Sequence, residues 1–166
     1  MTSEKNLTCF KAYDVRGKLG EELNEDIAYR IGRATAQVQK ARTLVVGFDA
    51  RATSPDLADA VSKGICDAGA DVLDIGLAGT EEVYASVSEF NACAGIKVTA
   101  SHNPIDYNGM KIVGRGSKPL TGKEFEAIKA LAEESNFIQP KKEGCVINKK
   151  EASRAAYVKK VLSFVD

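Results

Sequence analysis

The stretch T-L-V-V-G-F-D, Thr43 to Asp49, is a short apolar run that ends on a carboxylate. An uninterrupted run of this length is typical of a β-strand that is buried on both faces of a sheet. Strands of this kind occur where helices cover both sides of the sheet. The stretch therefore predicts an α/β domain, with helices in the sequence on either side of it.

Helical patterns do flank this strand. Before it, Asn24 fits the N-cap position, and apolar residues recur at helical spacing from Ile27 to Val38. After it, Ser54 and Pro55 predict a helix start, with the serine as the cap and the proline in the first turn. The strand and its two helices form the start of an alternating α/β pattern.

The alternation continues downstream. Three further strands are predicted, at residues 72–75, 94–99 and 110–113. Further helices are predicted to begin at Thr80, at Thr121 in a capping box with Glu124, and at Asn148 with Glu151. Two other segments should lack long regular structure: residues 9–20, extended and then turn-like, and the long loop at residues 136–144.

This order of elements predicts a three-layer α/β/α fold with a mixed, mainly parallel, four-stranded sheet. The loop between the strands at 94–99 and 110–113 is too short for a helical crossover, so the last strand should be antiparallel to its neighbour. In open α/β sheets, ligands bind outside the carboxyl ends of the strands. The loop at residues 49–51 and the loop that contains Ser101 should therefore share one edge of the sheet.

The composition argues against several classes of function. Lys plus Arg and Asp plus Glu both number 23 among 166 residues, so no net charge attracts the chain to nucleic acid or to a membrane surface. No apolar segment approaches the ~18 residues of a membrane helix. The first ten residues lack the pattern of a signal peptide, and a reduced, cytoplasmic protein is expected. Zinc ligation and a disulfide framework are unsupported, because no C-x-x-C pair occurs among Cys9, Cys66, Cys93 and Cys145.

The polar loop T-A-S-H-N-P, Thr99 to Pro104, holds the only histidine of the chain and is followed by N-G-M-K, Asn108 to Lys111. A loop of serine, asparagine and proline can simply be a turn. A hydrolase triad is a poor fit, because Ser101 and His102 would point to opposite faces if the strand continued through them. The G-x-S-x-G elbow of such enzymes is also missing from the sequence.

Phosphate chemistry fits this loop better. A phosphoserine at position 101 would carry about −1.5 to −2 charges and three acceptor oxygens, so it needs cations and donors around it. His102, Lys111, Arg16 and Arg51 would supply them if their loops converge. Mg²⁺ would take one phosphate oxygen, since it prefers hard oxygen ligands.

Three motifs in a fixed order carry a resemblance to a known family. T-A-S-H-N-P together with N-G-M-K resembles the signature of the α-D-phosphohexomutases. F-K-A-Y-D-V-R-G, Phe10 to Gly17, resembles their amino-terminal motif, and G-F-D-A-R, Gly47 to Arg51, resembles their motif after the first long strand. G-T-E-E-V-Y, Gly79 to Tyr84, further resembles the bacterial phosphomannomutases that supply mannose 1-phosphate for GDP-mannose.

The resemblance implies the first of the family's four domains, over residues 1–150, with a terminal helix at 151–166 that leads toward a second domain outside the chain. The family's metal loop D-G-D-x-D-R, its sugar-recognition loop and its R-x-S-x-T-E-P loop belong to later domains and do not occur in this sequence. The main carboxylate ligands of Mg²⁺ would then lie outside this chain, and the chain alone should be inactive.

The resemblance also implies roles for the loop residues. Ser101 matches the family's phosphoserine, which exchanges a phosphoryl group with a hexose monophosphate through a 1,6-bisphosphate; its phosphate would also be the metal ligand of this chain. His102 would contact substrate and assist proton transfer, although a loop histidine bonded to backbone is an alternative. Asn103 would line the substrate site, or only shape the loop.

The remaining site residues come from the other motifs. Lys111 would stabilise the transferring charge or, if desolvated, act in acid–base chemistry. Arg16 would contact phosphate, and Asp14 would orient it. Tyr13 would lie beside Arg16 in the substrate site, or could equally be a core aromatic. Arg51 would either support the serine loop or touch phosphate.

Two classes of function follow. The first is that of the phosphoserine domain of a phosphomannomutase. Phosphoglucomutase and phosphoglucosamine mutase remain alternatives, because the family distinguishes mannose, glucose and glucosamine phosphates mainly by the sugar-recognition loop, which does not occur in this sequence. The second is a non-catalytic module that binds phosphate or docks on other domains. Such a module should carry an apolar patch where its neighbours packed.

Overall fold

The computed structural model describes residues 6–165. The prediction that the first ten residues are not a signal peptide falls partly on residues 1–5, which lie outside the described residues. The described chain contains six strands, which in chain order are β1 Val15–Lys18, β2 Thr43–Phe48, β3 Asp71–Leu77, β4 Ala94–Val98, β5 Tyr107–Gly114 and β6 Val146–Asn148. Its α-helices are α1 Glu25–Val38, α2 Ser54–Asp67, α3 Thr80–Glu89, α4 Gly122–Glu134 and α5 Lys150–Leu162.

All six strands form one sheet in the order β1-β5-β4-β2-β3-β6. β2 is parallel to β3 and β4, β3 is parallel to β6, and β5 is antiparallel to both β4 and β1. β5 is therefore the one described strand that runs against the others. The prediction of a mixed, mainly parallel three-layer fold, with β5 antiparallel to β4, is confirmed.

The predicted count of four strands is wrong, because β1 and β6 were missed. β1 is V-R-G-K, in which buried and half-buried residues alternate, and it lies in a segment that is rich in turn residues. β6 has three residues, all of them exposed, at the edge of the sheet. Neither strand contains an uninterrupted apolar run like that of β2, so only the pairing with β5 and β3 makes them strands.

Helices cover both faces of the sheet. On one face, Ile27 of α1, Val61 of α2 and Ile128 of α4 share a core with Ile96 of β4. On the other face, the residues of α3 pack on β2 and β4, and α5 packs on α3 and β3. Full burial of one aliphatic side chain of this size contributes about 1.5–3 kcal/mol, so these two layers hold the sheet.

Two of the predicted helix starts are confirmed in detail. The Asn24 side chain accepts a hydrogen bond from the Ile27 N–H at 2.8 Å and is the N-cap of α1. Thr121 and Glu124 form the predicted capping box at the start of α4. Both signals are local in the chain, so they are readable without the fold.

Other predicted caps are wrong. The N-cap of α2 is Thr53, and Ser54 is the first helical residue, with its hydroxyl donated to Asp49 Oδ1 at 2.5 Å. An N-cap serine accepts a backbone N–H, whereas the Ser54 hydroxyl donates to a carboxylate. The hydrogen bond to the charged group is the stronger of the two, so the tertiary contact sets the position of Ser54. Thr80 is likewise the first residue of α3 and not its cap.

The last predicted helix also begins later than expected. Asn148 ends β6, Lys149 is the N-cap residue, and the Asn148 side chain accepts the Lys150 N–H at 3.0 Å. α5 ends at Leu162, so Phe164 lies beyond it. Ser153 is its one buried residue, and α5 therefore rests on the domain as a largely exposed helix.

The remaining segments follow expectation more closely. Residues 135–145 have no helix or strand, which confirms the predicted long loop. β3 passes through Gly76, at φ +64°, and ends at Leu77, so it is longer than the predicted strand at 72–75. None of the helices in residues 6–165 combines the length and the apolar character of a membrane span.

Candidate active site

The serine loop, defined here as Thr99 to Pro104, follows the end of β4 at Val98. Ser101 has φ +53°, a left-handed conformation in which few residues other than glycine are found, and its side chain is exposed. Because β4 ends at Val98, the strand does not continue through Ser101 and His102, and the condition under which they would point to opposite faces is not met. Ser101 Oγ lies 3.0 Å from His102 Nδ1 instead.

The contact between Ser101 and His102 does not complete a hydrolase triad. Within residues 6–165, the His102 ring has no second hydrogen-bond partner, so no carboxylate orients it. Both side chains are exposed. The pair can pass a proton between two exposed groups, but the described chain supplies no third member.

Arg51 holds the serine loop through the backbone. Its Nη2 donates to the carbonyl oxygens of Ser101 and Asn103 at 3.2 and 2.5 Å, and its Nη1 donates to those of Pro104 and Tyr107 at 2.7 and 3.1 Å. The side chain is only 13% exposed. Of the two roles left open by the sequence, this geometry is that of support for the loop.

Asp49 is a second anchor of the serine loop. Its carboxylate accepts the hydroxyls of Ser54 and Thr99 at 2.5 and 2.7 Å and the Arg51 N–H at 3.1 Å. Thr99 Oγ1 in turn accepts the Ser101 N–H at 3.0 Å. Burial raises the pKa of Asp49, but these hydrogen bonds outweigh it and hold the pKa below the usual range. Asp49 is thus a stable carboxylate. Together with Arg51 and Thr99 it forms the frame of the serine loop, a name used here for the side chains that bond this loop and their immediate partners.

A second carboxylate, that of Asp14, lies close to two of the predicted cationic side chains, Arg16 and Lys111. Arg16 donates to Asp14 Oδ2 through Nη2 and Nε at 3.0 and 3.2 Å, and its Nη1 donates to Asn103 Oδ1 at 2.5 Å. Lys111 Nζ lies 3.8 Å from the same oxygen of Asp14. The structure therefore brings Arg16 from β1, Lys111 from β5 and Asn103 from the serine loop to one place.

Tyr13 stands apart from this cluster. Its side chain is 92% exposed, so the alternative of a core aromatic is wrong. The residue lies next to Asp14 on the segment that leads into β1 and projects into solvent at the edge of the site.

The N-G-M-K motif has a structural explanation for each of its first two residues. Asn108 is fully buried and donates from Nδ2 to Thr53 Oγ1 and Ser54 Oγ at 3.0 and 2.9 Å, so it ties β5 to the start of α2. Gly109 lies against β1, and a Cβ there would be 2.0 Å from the Val15 carbonyl oxygen. Glycine is required at that position for β1 to carry Arg16 to the site.

Sequence reasoning missed part of the frame. Thr99, Ser54 and Asn108 were not predicted as supporting residues, and Asp49 was noted only as a polar residue after a strand. A signal was present for three of them, since Asp49 lies in G-F-D-A-R, Thr99 in T-A-S-H-N-P and Asn108 in N-G-M-K. Ser54 gave a misleading one, because its local pattern is that of a cap.

The described residues offer no preformed metal site. No group of three or more His, Cys, Asp or Glu side chains within residues 6–165 is arranged to hold an ion. Asp14 and Asp49 are each occupied by cations and hydroxyls. Any metal at this site would need most of its ligands from elsewhere.

Comparison with known proteins agrees with this geometry. Residues 7–139 match the family described as phosphoglucomutase/phosphomannomutase, alpha/beta/alpha domain I. The chain belongs to this family. The resemblance to phosphohexomutases drawn from the three motifs is therefore confirmed, and the fold agrees with it.

Several phosphomannomutases are close relatives of this phosphoglucomutase/phosphomannomutase domain. A phosphomannomutase of Escherichia coli K12 is 57% identical over 134 residues, which are 80% of this chain and 29% of that protein. One from Salmonella montevideo is 50% identical over 162 residues, 96% of this chain and 35% of that protein. The chain thus spans about a third of the length of these two relatives.

A solved structure supports the same assignment. The phosphoglucomutase/phosphomannomutase family protein of Burkholderia thailandensis superposes with a TM-score of 0.82 at 33% identity, over 98% of this chain and 36% of that one. Fold and family therefore agree along nearly the whole chain.

Proposed function

We propose that this phosphohexomutase domain presents Ser101 as a phosphoserine relay in a phosphomannomutase, which interconverts mannose 6-phosphate and mannose 1-phosphate. One observation carries the proposal. The exposed Ser101 hydroxyl lies on a left-handed turn whose backbone is bonded by Arg51 and Thr99. Asn103 of the same loop bonds Arg16, which shares Asp14 with Lys111. A fixed hydroxyl next to cations is the arrangement that phosphoryl transfer needs.

The chemistry divides into two matched transfers. A hydroxyl oxygen of the hexose monophosphate attacks the phosphorus of phosphoserine 101, the bond between phosphorus and Oγ breaks, and a hexose 1,6-bisphosphate forms. The proton lost by the sugar hydroxyl must reach Ser101 Oγ, and His102 Nδ1, 3.0 Å from that oxygen, is placed to carry it. After the sugar reorients, the other phosphate returns to Oγ by the reverse steps.

Cationic side chains would stabilise the charge that develops on the phosphoryl oxygens. Arg16 presents a planar guanidinium, which suits a phosphate, and Lys111 presents a compact ammonium. Both are partly exposed, at 28% and 31% of the side chain, and share Asp14. An arriving phosphate would compete with Asp14 for them, so Asp14 holds the cations in position until the substrate binds.

Mannose is favoured as the sugar by the relatives. The relatives from Escherichia coli and Salmonella, at 57% and 50% identity, are phosphomannomutases. Glucose and glucosamine phosphates are the alternative substrates, since Arg16 and Lys111 suit a phosphate group and do not distinguish the sugar.

Mg²⁺ is proposed for the complete enzyme, although the residues of this chain do not by themselves fit it. Within residues 6–165, no three or more His, Cys, Asp or Glu side chains are clustered to hold an ion, and one phosphoserine oxygen is a single ligand. The carboxylates that hold the ion would therefore come from outside residues 6–165. For the same reason we propose that the chain alone does not turn over substrate.

Mass spectrometry of the longest natural polypeptide that carries this sequence tests the proposal. After incubation with mannose 1,6-bisphosphate and Mg²⁺, the peptide with Ser101 should gain one phosphate, which a phosphatase removes. Ser101→Ala should gain none. Phosphate on a different residue, or none on the wild-type peptide, would refute the proposal.

A second function, docking without catalysis, has its own observation. α5 and the residues after it expose an apolar surface, which consists of Val158, Val161, Leu162, Phe164 and Val165. Exposed apolar groups of this extent mark sites where protein packs on protein. A coupled mutase assay separates the two functions for this chain, since turnover by residues 1–166 alone would refute the idea that they only bind and dock.

A further inference from the structure

Lys97 is a buried lysine that lies two residues before the serine loop. It is 2% exposed, in β4, and lies directly opposite Lys111 of β5 and beside Gly47 of β2. Opposed residues of an antiparallel pair project from the same face of the sheet. Lys97 therefore extends from the same face as Lys111, but under α3 instead of toward solvent.

The Lys97 ammonium has an unusual partner. It donates to the carbonyl oxygen of Ala78, in the loop between β3 and α3, and within residues 6–165 no carboxylate lies within ion-pair distance of it. The nearby Glu82 is already bonded to Ser153 and Arg154, at 3.0 and 3.1 Å. Burial lowers the pKa of Lys97, while Asp49, Glu82 and Glu81 raise it, and the balance lies below the usual range.

Packing alone does not require a charge at this position. A methionine has a similar length and would fill the space beneath α3 without desolvation of an ammonium. What only the ammonium supplies is a donor to the Ala78 carbonyl. The strand that contains Lys97 also bonds Asp49, whose N–H donates to the Val98 carbonyl at 3.0 Å. Asp49 accepts a hydrogen bond from the Thr99 hydroxyl, and Thr99 Oγ1 accepts the Ser101 N–H.

We propose that Lys97 is a positioning residue that joins the loop between β3 and α3 to the frame of the serine loop and so sets where Ser101 stands. One end of this connection is the Ala78 carbonyl, which precedes G-T-E-E-V-Y. The other end is β4 itself, where the carbonyl of the next residue, Val98, accepts the Asp49 N–H at the carboxyl edge of the sheet. The role in transfer rests on the proposed function, whereas the connection itself can be measured without it.

The test uses Lys97→Met, Lys97→Gln and, as control, Lys123→Met, which removes an exposed lysine of α4 on the opposite face of the sheet. In the longest natural polypeptide, amide hydrogen exchange of residues 99–104 should accelerate about tenfold in Lys97→Met. Phosphorylation of Ser101 by mannose 1,6-bisphosphate should slow by about tenfold or more, because small displacements of a nucleophile are costly. Lys97→Gln keeps a donor and should lie between Lys97→Met and wild type, and Lys123→Met should match wild type.

The outcomes separate the two proposals. Exchange and phosphorylation in Lys97→Met that match wild type would overturn the role of Lys97. Loss of folding in both Lys97 variants, with Lys123→Met folded, would also overturn it, since Lys97 would then serve core stability. A wild-type protein that is never phosphorylated at Ser101 would refute the proposed function, while the exchange data would still decide whether Lys97 holds the loop.

Discussion

Arg16 Nη1 donates to Asn103 Oδ1 at 2.5 Å, a contact between β1 and the serine loop that are 87 residues apart in the chain. The same guanidinium is paired with Asp14, so the loop residue and the acid share one arginine. Arg16, the cation that would bind a phosphate, is therefore already bonded to the serine loop, which would bear the phosphoserine.

Arg51→Lys should destabilise the protein by about 2–4 kcal/mol. The lysine keeps the charge, but it cannot reach the four carbonyl oxygens of the serine loop that Arg51 bonds, and some of these would be left unpaired. Urea unfolding measures the change. Arg42→Lys is the control, since Arg42 is exposed, and equal stabilities of the two variants would contradict the support role.

Asp49→Asn should change how stability depends on pH. The pKa of Asp49 is below its unfolded value, so its contribution is fully present above about pH 4 and is lost as the pH falls through the folded pKa. The wild type should therefore lose more stability than Asp49→Asn between neutral pH and about pH 3. Denaturant midpoints at several pH values measure this, with Asp59→Asn, on the exposed side of α2, as control.

Gly109→Ala should destabilise the domain by about 3 kcal/mol or more, because the added Cβ would lie 2.0 Å from the Val15 carbonyl oxygen. Backbone on both sides prevents an easy adjustment. Gly122→Ala is the matched control, since a Cβ there meets nothing within 4 Å. Thermal unfolding of the two variants compares them, and a Gly109→Ala protein as stable as the control would show that β1 can move away.

Lys111→Met should leave folding intact and slow phosphorylation of Ser101 by roughly 10²-fold, the usual effect of losing one group that stabilises transferring charge. Folding should persist because Asp14 keeps its pair with Arg16. Single-turnover transfer from mannose 1,6-bisphosphate measures the rate. Lys118→Met, which changes an exposed lysine, should transfer at the wild-type rate, and a similar rate in Lys111→Met would exclude Lys111 from the reaction.

Ser101→Gly should be more stable than Ser101→Ala by about 1 kcal/mol, because glycine adopts the left-handed φ of +53° without strain. Both variants lose the hydroxyl and should not be phosphorylated. Chemical denaturation compares their stabilities, and equal values would mean that the loop relaxes out of this conformation when the hydroxyl is lost.

Local patterns in the sequence were sufficient for much of the fold. The apolar run of β2, the Asn24 cap and the Thr121 capping box depend on residues within a few positions of each other, so they could be predicted without a structure. The antiparallel β5 followed from a loop that is too short for a crossover. The motifs also identified Ser101, Arg16 and Lys111 as candidates for one site.

Long-range contacts decided the rest. β6 exists because it pairs with β3 at the edge, and Ser54 is no cap because Asp49 accepts its hydroxyl across a loop. Lys97 gave no sign in the sequence of being buried. Sequence by itself determined the helices and the four strands β2 to β5, through short-range hydrogen bonds and periodic burial. Only the tertiary structure decided the strands β1 and β6 and which polar groups meet, because a buried donor bonds to the acceptor that the fold brings to it.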